Sequence, residues 1–585
     1  MLRTKIISLF TIILIVTTML FGQYDHRQVM LNQIRRLEAR REFTQVISIY
    51  EDLLKRYPDD EEIVSGFFNT LVNVNRIEEA SRVLDQYNNL FTPQILTQHQ
   101  IILAIRKGEA NQARQLGLNY LRDNPGVVNL YRDFASIYER GRQFDTAIEV
   151  LQLARRNTRD DHLFALEMAR NYENMEQYDN SVQEYIKHLE RNSGFLFFVT
   201  NRIKDILNED SNQIRTLERS LSSSDNETML ELYALSLAHI ENYEEAFQIY
   251  QRLEPEKLNQ FADELFSAGR IDLARQAYEQ YRNTIQDPIK SADVGIKIAL
   301  LYISVNQLSE AEQILTEIVT DRRIQDRQLR FRTRANRQAR ELLADIAIRL
   351  EKSQDEIIRH FEDAKTFAFN RNEQKEVDLK IVHYLIMSEN YQQADNRLQN
   401  ILQDEQSGSQ ITNMSHYYKY MLALMRESTP SDSLLTEMII SMPGSDLTNE
   451  ALFLTVILNE MYPSVRNIFL EAYRTKSVYR DREALNKLLE IDSNIIDEEI
   501  ILISGQWALE AGDTELAETL FSHDFRDDTL AGYALIRLAE IKRKEHLEYR
   551  DLLTNFLKDN PTHIFSPKFR LLLTSRPPAT VRRPD

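Results

Sequence analysis

The feature that most constrains this chain is a phase. Val46, Ala80, Ala113, Ala147 and Ser181 lie 34, 33, 34 and 34 residues apart, and Ala246, Ala274, Ala311, Ala394 and Ala517 continue the series. Other positions keep the same register. Twelve residues before the small residue lie Ala135, Ala169, Ala234, Ala262, Ala299 and Gly505; five before it lie Asn75, Gly108, Gly269, Asn306 and Gly512. Pro58 and Pro125 fall twelve after it, and Pro93 one later. A chain locked to one period is built from stacked copies of one unit, each burying its apolar face against its neighbours.

The copy from Gly126 to Asp160 shows what the unit is. Tyr131, Phe134, Ala135 and Tyr138 fall at i, i+3, i+4 and i+7, one face of a helix. Phe144, Ala147, Leu151 and Ala154 repeat the pattern in a second helix. Ala135 and Ala147 let the two backbones approach. Gly141 is expected to take the left-handed conformation of the interhelix turn, as Gly and Asn do at the other turns. The prolines read as stops for the second helix. With only 14 Gly and 13 Pro in 585 residues, helix is expected nearly everywhere, and a hydrophobic content of 43% is enough for a buried core.

The pattern resembles the tetratricopeptide repeat: in the Gly126 copy its positions are held by Ala135, Tyr138, Ala147, Leu151 and Ala154, with Tyr131 at the opening aromatic and Arg159 in place of the final proline. The resemblance covers residues 28–320, then 375–405 and 495–525. It implies an all-α right-handed superhelix of helix-turn-helix hairpins whose first helices line a concave surface. By that resemblance Asn69, Asn73, Gln98, Arg106, Asn129, Arg132, Arg140 and Arg170 face inward as candidate partner-binding residues. Asn and Arg can bond the backbone of an extended peptide. Family members that clamp a peptide's terminal carboxylate use Lys and Asn at set positions; Asn69 fits one, but Ser65, Asn129 and Asp133 stand at others, which argues against such clamping here.

The expected organisation is an export signal over 1–22, a repeat solenoid over 23–406, an irregular helical repeat region over 407–573 and a disordered tail over 574–585. Within the solenoid, the 65 residues from Ser181 to Ala246 fit two units, the weaker one around Ile214. Ser224 to Glu227 reads as a capping box, and residues 321–370 as one or two longer helices. At the N-terminus, Arg3 and Lys5 precede the apolar run Ile6–Phe21, the pattern of a signal peptide with cleavage after Gly22. Leu20 at −3 is larger than ideal, so an uncleaved anchor stays open; no later segment is apolar enough to span a membrane.

Catalytic signatures are scarce. The chain has no cysteine, which excludes disulfides, thiolate metal sites and a Cys nucleophile. None of its 11 histidines pair at i, i+4, and no GxGxxG, Walker or GxSxG motif occurs. Glu427-Ser428 matches the Glu-Ser of some lytic transglycosylases, but Thr429-Pro430 and the lack of their later motif make Glu427 a surface residue. The reading is therefore no enzyme, no cofactor and no metal. A net charge of −19 disfavours nucleic acid as a partner.

One charged feature stands out. Arg323, Arg327, Arg330, Arg334 and Arg337 recur at +4, +3, +4 and +3, the spacing of one helical stripe. Either acidic helices of adjacent units neutralise it, or it docks an anionic partner. Together these features predict an exported, non-catalytic scaffold of the bacterial cell envelope, periplasmic or outer-membrane associated, that binds envelope or secretion proteins. The alternative is a peptidoglycan- or glycan-associated accessory factor, and self-association through a solenoid end stays open.

Overall fold

The computed structural model describes residues 26–325, 333–404, 408–492, 496–544 and 548–574. These are helical, with no strand among the described residues, and the chain divides after Leu253 into two compact units. The expected signal segment 1–22 lies outside the described residues, as does the tail beyond Thr574; Thr574 itself ends the helix Ser566–Thr574. Among the described residues no helix is long and apolar enough to cross a membrane.

The first unit is hairpin after hairpin. Glu61–Asn73 packs on Ile77–Gln86, Pro93–Arg106 on Ala110–Asp123, Val128–Arg140 on Phe144–Thr158, and Ala165–Asn174 on Tyr178–Arg191. Each small residue of the phase is fully buried, Val46, Ala80, Ala113, Ala147, Ser181 and Ala246 alike. Ser181 shows what it faces: its hydroxyl donates to the carbonyl of Ala169, twelve residues back, at 3.0 Å. The weak stretch 195–226 forms the short helices Leu196–Glu209 and Ile214–Leu221.

The turn residue sits five before the small residue throughout. Asn75, Gly108, Gly269, Asn306 and Gly512 all take positive φ, but so do Arg41, Arg142, Glu176, Glu241 and Glu389 in the same register. Gly141 does not: its φ is −83°, and Arg142 makes the left-handed turn. Gly141 serves instead for close approach, because a Cβ there would lie 2.8 Å from Ile105. Two further expectations are corrected. Pro93 opens the helix Pro93–Arg106, where a missing N–H costs nothing; the preceding helix has already ended at Gln86. The cap of Glu227–His239 is Asn226, whose side chain accepts from Met229 N, while Ser224 bonds Asn226 N one step earlier.

The second unit continues with Pro255–Ser267 on Ile271–Thr284 and Pro288–Ser304 on Leu308–Thr320, then Ala335–Arg349 on Gln354–Lys365 and Arg371–Met387 on Tyr391–Leu402. The expected boundary at 406/407 lies outside the described residues, and one apolar cluster has members on both sides of it, from Ala344 to Ile541. The hairpin Glu498–Glu510 on Thr514–Phe521 falls in the expected repeat at 495–525, and Pro463–Ser477 on Asp481–Leu489 is a further hairpin that the phase did not mark. Tyr479, at φ 66°, is the turn residue five before buried Ala484. Asp446–Glu460 is an additional helix between two hairpins.

Gly117 marks where two repeats touch. The Tyr138 hydroxyl donates to the Ala113 carbonyl of the preceding hairpin at 2.7 Å, and it occupies the space a Gly117 side chain would need. Gly117→Ala is expected to destabilise the unit by about 1–3 kcal/mol, overpacking outweighing the gain in helix propensity of about 1 kcal/mol. Gly108→Ala meets nothing within 4 Å and costs only backbone strain at φ 79°, about 1–2 kcal/mol. Hydrogen exchange over residues 110–158 checks the contrast: faster exchange across both helices of that hairpin pair in the Gly117 variant, and none spreading past the turn in the Gly108 variant.

Candidate functional site

Three consecutive first helices in the first unit end side by side, and their last turns enclose a groove of about 480 Å³. Asn69 and Asn73 come from Glu61–Asn73, Arg106 from Pro93–Arg106 and Arg140 from Val128–Arg140. The turn residues Asn75 and Arg142 complete the rim. Val72, Ile102, Ile105 and Ile137 floor it, and no carboxylate lines it. The six polar side chains are exposed. Among the described residues the Arg106 and Arg142 guanidiniums make no ion pair, and Arg140 donates only to the Ser136 carbonyl of its own helix, at 3.2 Å. The groove thus offers amide and guanidinium groups that the fold itself does not use.

The structure brings together four of the eight inward candidates. Gln98 and Asn129 lie away from this groove. Arg132 pairs with Glu167 at 2.9 Å and stacks over Phe164, while Arg170 stacks over Phe198. Between them Asn171 donates to Glu139 at 2.6 Å; burial, with Glu167 nearby, holds the Glu139 carboxyl above its ordinary range. Asn75 and Arg142 were not among the candidates, although the five-before-small register marks both.

The arginine stripe is not one helix. Arg323 lies in the helix Arg322–Gln325 and Arg337 in Ala335–Arg349, with Thr333 and Arg334 outside helix, and Arg327 and Arg330 lie outside the described residues. Arg323 donates to Asp321 at 2.8 Å. Arg334 reaches Glu373 at 2.9 Å and stacks over Phe369. Arg337 is buried among Glu341, Glu373 and Glu376 at 2.6, 2.9 and 2.7 Å. The neighbouring helix Arg371–Met387 therefore supplies the acid for the described C-terminal end of the stripe. Glu427 is an exposed helix end paired with Arg426.

A second cluster lies inside the second unit, where turn residues of separate hairpins meet. Tyr479 stands beside Asp345, Arg480 pairs with Glu351 at 3.0 Å, and Arg474 pairs with Glu389. Glu351, Glu389 and Tyr479 all have positive φ. Burial lifts the Asp345 carboxyl to about 6; Lys380 and Arg349 oppose the shift and Glu341 adds to it. Burial also pushes His383 down. Asp345, His383 and Tyr479 line a cavity of about 170 Å³, smaller than the roughly 300 Å³ at which ligand pockets begin, while Glu351, Glu389, Arg474 and Arg480 line a groove of about 640 Å³ beside it.

No protein-family profile matches the chain, and no curated protein does. A tetratricopeptide repeat protein from Parabacteroides merdae is similar over 47% of this chain and 96% of its own, with 14% identity and a TM-score of 0.27. A structure of Naa15/Naa10 bound to HypK-THB is similar over 93% of this chain and 99% of that one, with 12% identity and a TM-score of 0.26. At such scores the likenesses add nothing to what the hairpins establish: an all-α solenoid of tetratricopeptide-like repeats.

The Asp345 shift has a sign. A carboxyl whose folded pKa is raised adds stability below the unfolded value, and that stability is lost as pH rises from about 4 to about 6. At neutral pH the buried charge is a cost. Asp345→Asn should therefore stabilise the second unit at pH 7.5 by about 2 kcal/mol and remove the gain that the wild type shows on acidification to pH 5. Urea unfolding at the two pH values measures both, and a variant less stable than wild type at pH 7.5 would contradict the assignment.

Proposed function

We propose that this chain is an exported, non-catalytic scaffold of the bacterial cell envelope that holds an extended, anionic segment of a partner protein in the first unit's groove. The observation that carries the reading is the groove's lining. In a chain of net charge −19, it gathers three Arg and three Asn with no carboxylate. Amides bond a peptide backbone through both donor and acceptor, guanidiniums grip carboxylates in a fork, and the aliphatic floor takes an apolar side chain. Such a site holds without transforming, because it offers no nucleophile and no general base. Export rests on the basic and then apolar start, Arg3 and Lys5 ahead of Ile6–Phe21.

The test is a crosslinking pull-down of the tagged protein from cells of its own host, with mass spectrometry of what is captured. The wild type is expected to retain an envelope or secretion protein. Arg106→Glu with Arg140→Glu is expected to reduce that capture at least about tenfold, the loss of charge-assisted bonds together with new repulsion. Asn129→Ala, outside the groove, should leave it unchanged. A partner retained by the double variant would overturn the groove reading. Retention on the wall fraction with no protein partner would replace the scaffold by a glycan-associated factor.

A further inference from the structure

The second unit carries a groove of the opposite chemistry. It is about 510 Å³, set among the helices Asp446–Glu460, Pro463–Ser477, Glu498–Glu510 and Asp528–Lys544. Its walls are aromatic: Phe453, Phe469, Tyr473, Trp507, Tyr533 and Phe565, with leucine and isoleucine between them. The additional helix Asp446–Glu460 explains why the groove is open. Ala451, Leu454 and Leu458 are buried on one side, yet Phe453 in the groove wall remains 54% exposed, and Leu452 and Val456, outside the groove, are 42% and 50% exposed. A helix apolar on two sides and covered on one leaves an apolar surface of the kind that marks interaction sites.

One charged residue belongs to this groove. The Glu450 carboxylate accepts a hydrogen bond from the Tyr473 hydroxyl at 3.0 Å and pairs with no cation among the described residues. Burial, with Glu450 beside it, holds the Tyr473 hydroxyl well above its ordinary value. The nearby cations Lys476 and Arg537 already have other partners, and the Lys476 ammonium also lies over the Trp507 ring, 5.2 Å from its centroid. Lys476 bonds Glu510 at 2.7 Å and Asp481 at 3.2 Å; Arg537 bonds Glu540 at 2.9 Å and Gln506 at 2.7 Å. A carboxylate without a counter-charge therefore stands in a wall of aromatic rings. A guanidinium or ammonium delivered there would meet both the carboxylate and ring faces, and each attracts a cation.

We propose that this groove is a second partner site, which receives an amphipathic peptide segment whose apolar side chains fill the aromatic trough and whose arginine or lysine pairs with Glu450. The segment it selects is apolar and cationic, whereas the first unit's groove selects an anionic one. The two sites share no residue, so either stands or falls alone.

The chain supplies its own reporter. Trp507 is its only tryptophan and lies in the groove wall, stacked on Phe469. The full-length protein is titrated with two short leucine-rich synthetic peptides that differ only in one central residue, Arg or Glu, and the Trp507 emission is followed. The Arg peptide should give a saturable change and bind about tenfold or more tightly than the Glu peptide. Glu450→Gln should abolish that preference and Glu450→Arg reverse it, at an exposed position whose change leaves the circular dichroism spectrum intact. Phe453→Asp should weaken both peptides. Equal affinity of the wild type for the two peptides, or no saturable change with either, would overturn the proposal.

Discussion

Two helices of a hairpin lie against each other only where a small side chain lets their backbones close, and the array rests on that contact. The small residue at the centre of the second helix is fully buried at Ala80, Ala113, Ala147, Ser181, Ala246, Ala274, Ala311, Ala394 and Ala517. In the Ser181 hairpin its partner across the contact is the residue twelve back. Aromatic side chains then fill the space between neighbouring hairpins, as Tyr138 does against Gly117. The period appears a third time in the charges. Arg114–Glu149, Arg132–Glu167, Arg282–Glu317 and Lys476–Glu510 each join residues one repeat apart. Such exposed pairs add little stability. Arg155–Glu184 differs, because both partners are buried and neither charge is tolerable alone.

The repeats were legible because the small-residue contact tolerates few residue types. The turn was legible only in part. Its left-handed residue is Gly or Asn in some copies, but Arg41, Arg142, Glu176 and Glu389 accept the same conformation, with a hairpin on either side to fix it. Gly141 misled for the complementary reason: a glycine can be required by a neighbour's side chain, here Ile105, rather than by its own φ. The hairpin Glu498–Glu510 on Thr514–Phe521 was legible through Gly505, Gly512 and Ala517, whereas Pro463–Ser477 on Asp481–Leu489 was missed because Tyr479 marks its turn with no glycine or asparagine in it. Half of the inward-facing candidates meet in one groove. Arg132 and Arg170 are spent on the internal partners Glu167, Phe164 and Phe198, which no single-helix pattern reveals, and Gln98 and Asn129 lie away from the groove.

The two grooves differ in how far a sequence can expose them. The polar one is written in Asn and Arg, residues that are rarely wasted on a first helix. The apolar one is written in residues that pattern reading assigns to the core. Leu452 and Leu454 look alike in sequence, and only the packing leaves one exposed and the other buried. Both grooves are built on packed helices, so the positions of their functional groups follow from the hairpin geometry rather than from loop conformation.

The meeting of turn residues in the second unit changes its mechanics. In a solenoid held only by neighbour contacts, pulling the ends apart opens one interface at a time, and the array extends like a spring. Arg474–Glu389 and Arg480–Glu351 instead join hairpins far apart along the chain. Tension applied across this unit cannot be relieved by sliding one hairpin along its neighbour; the clasp has to break first. The second unit therefore behaves under load as a closed frame, stiff until it yields.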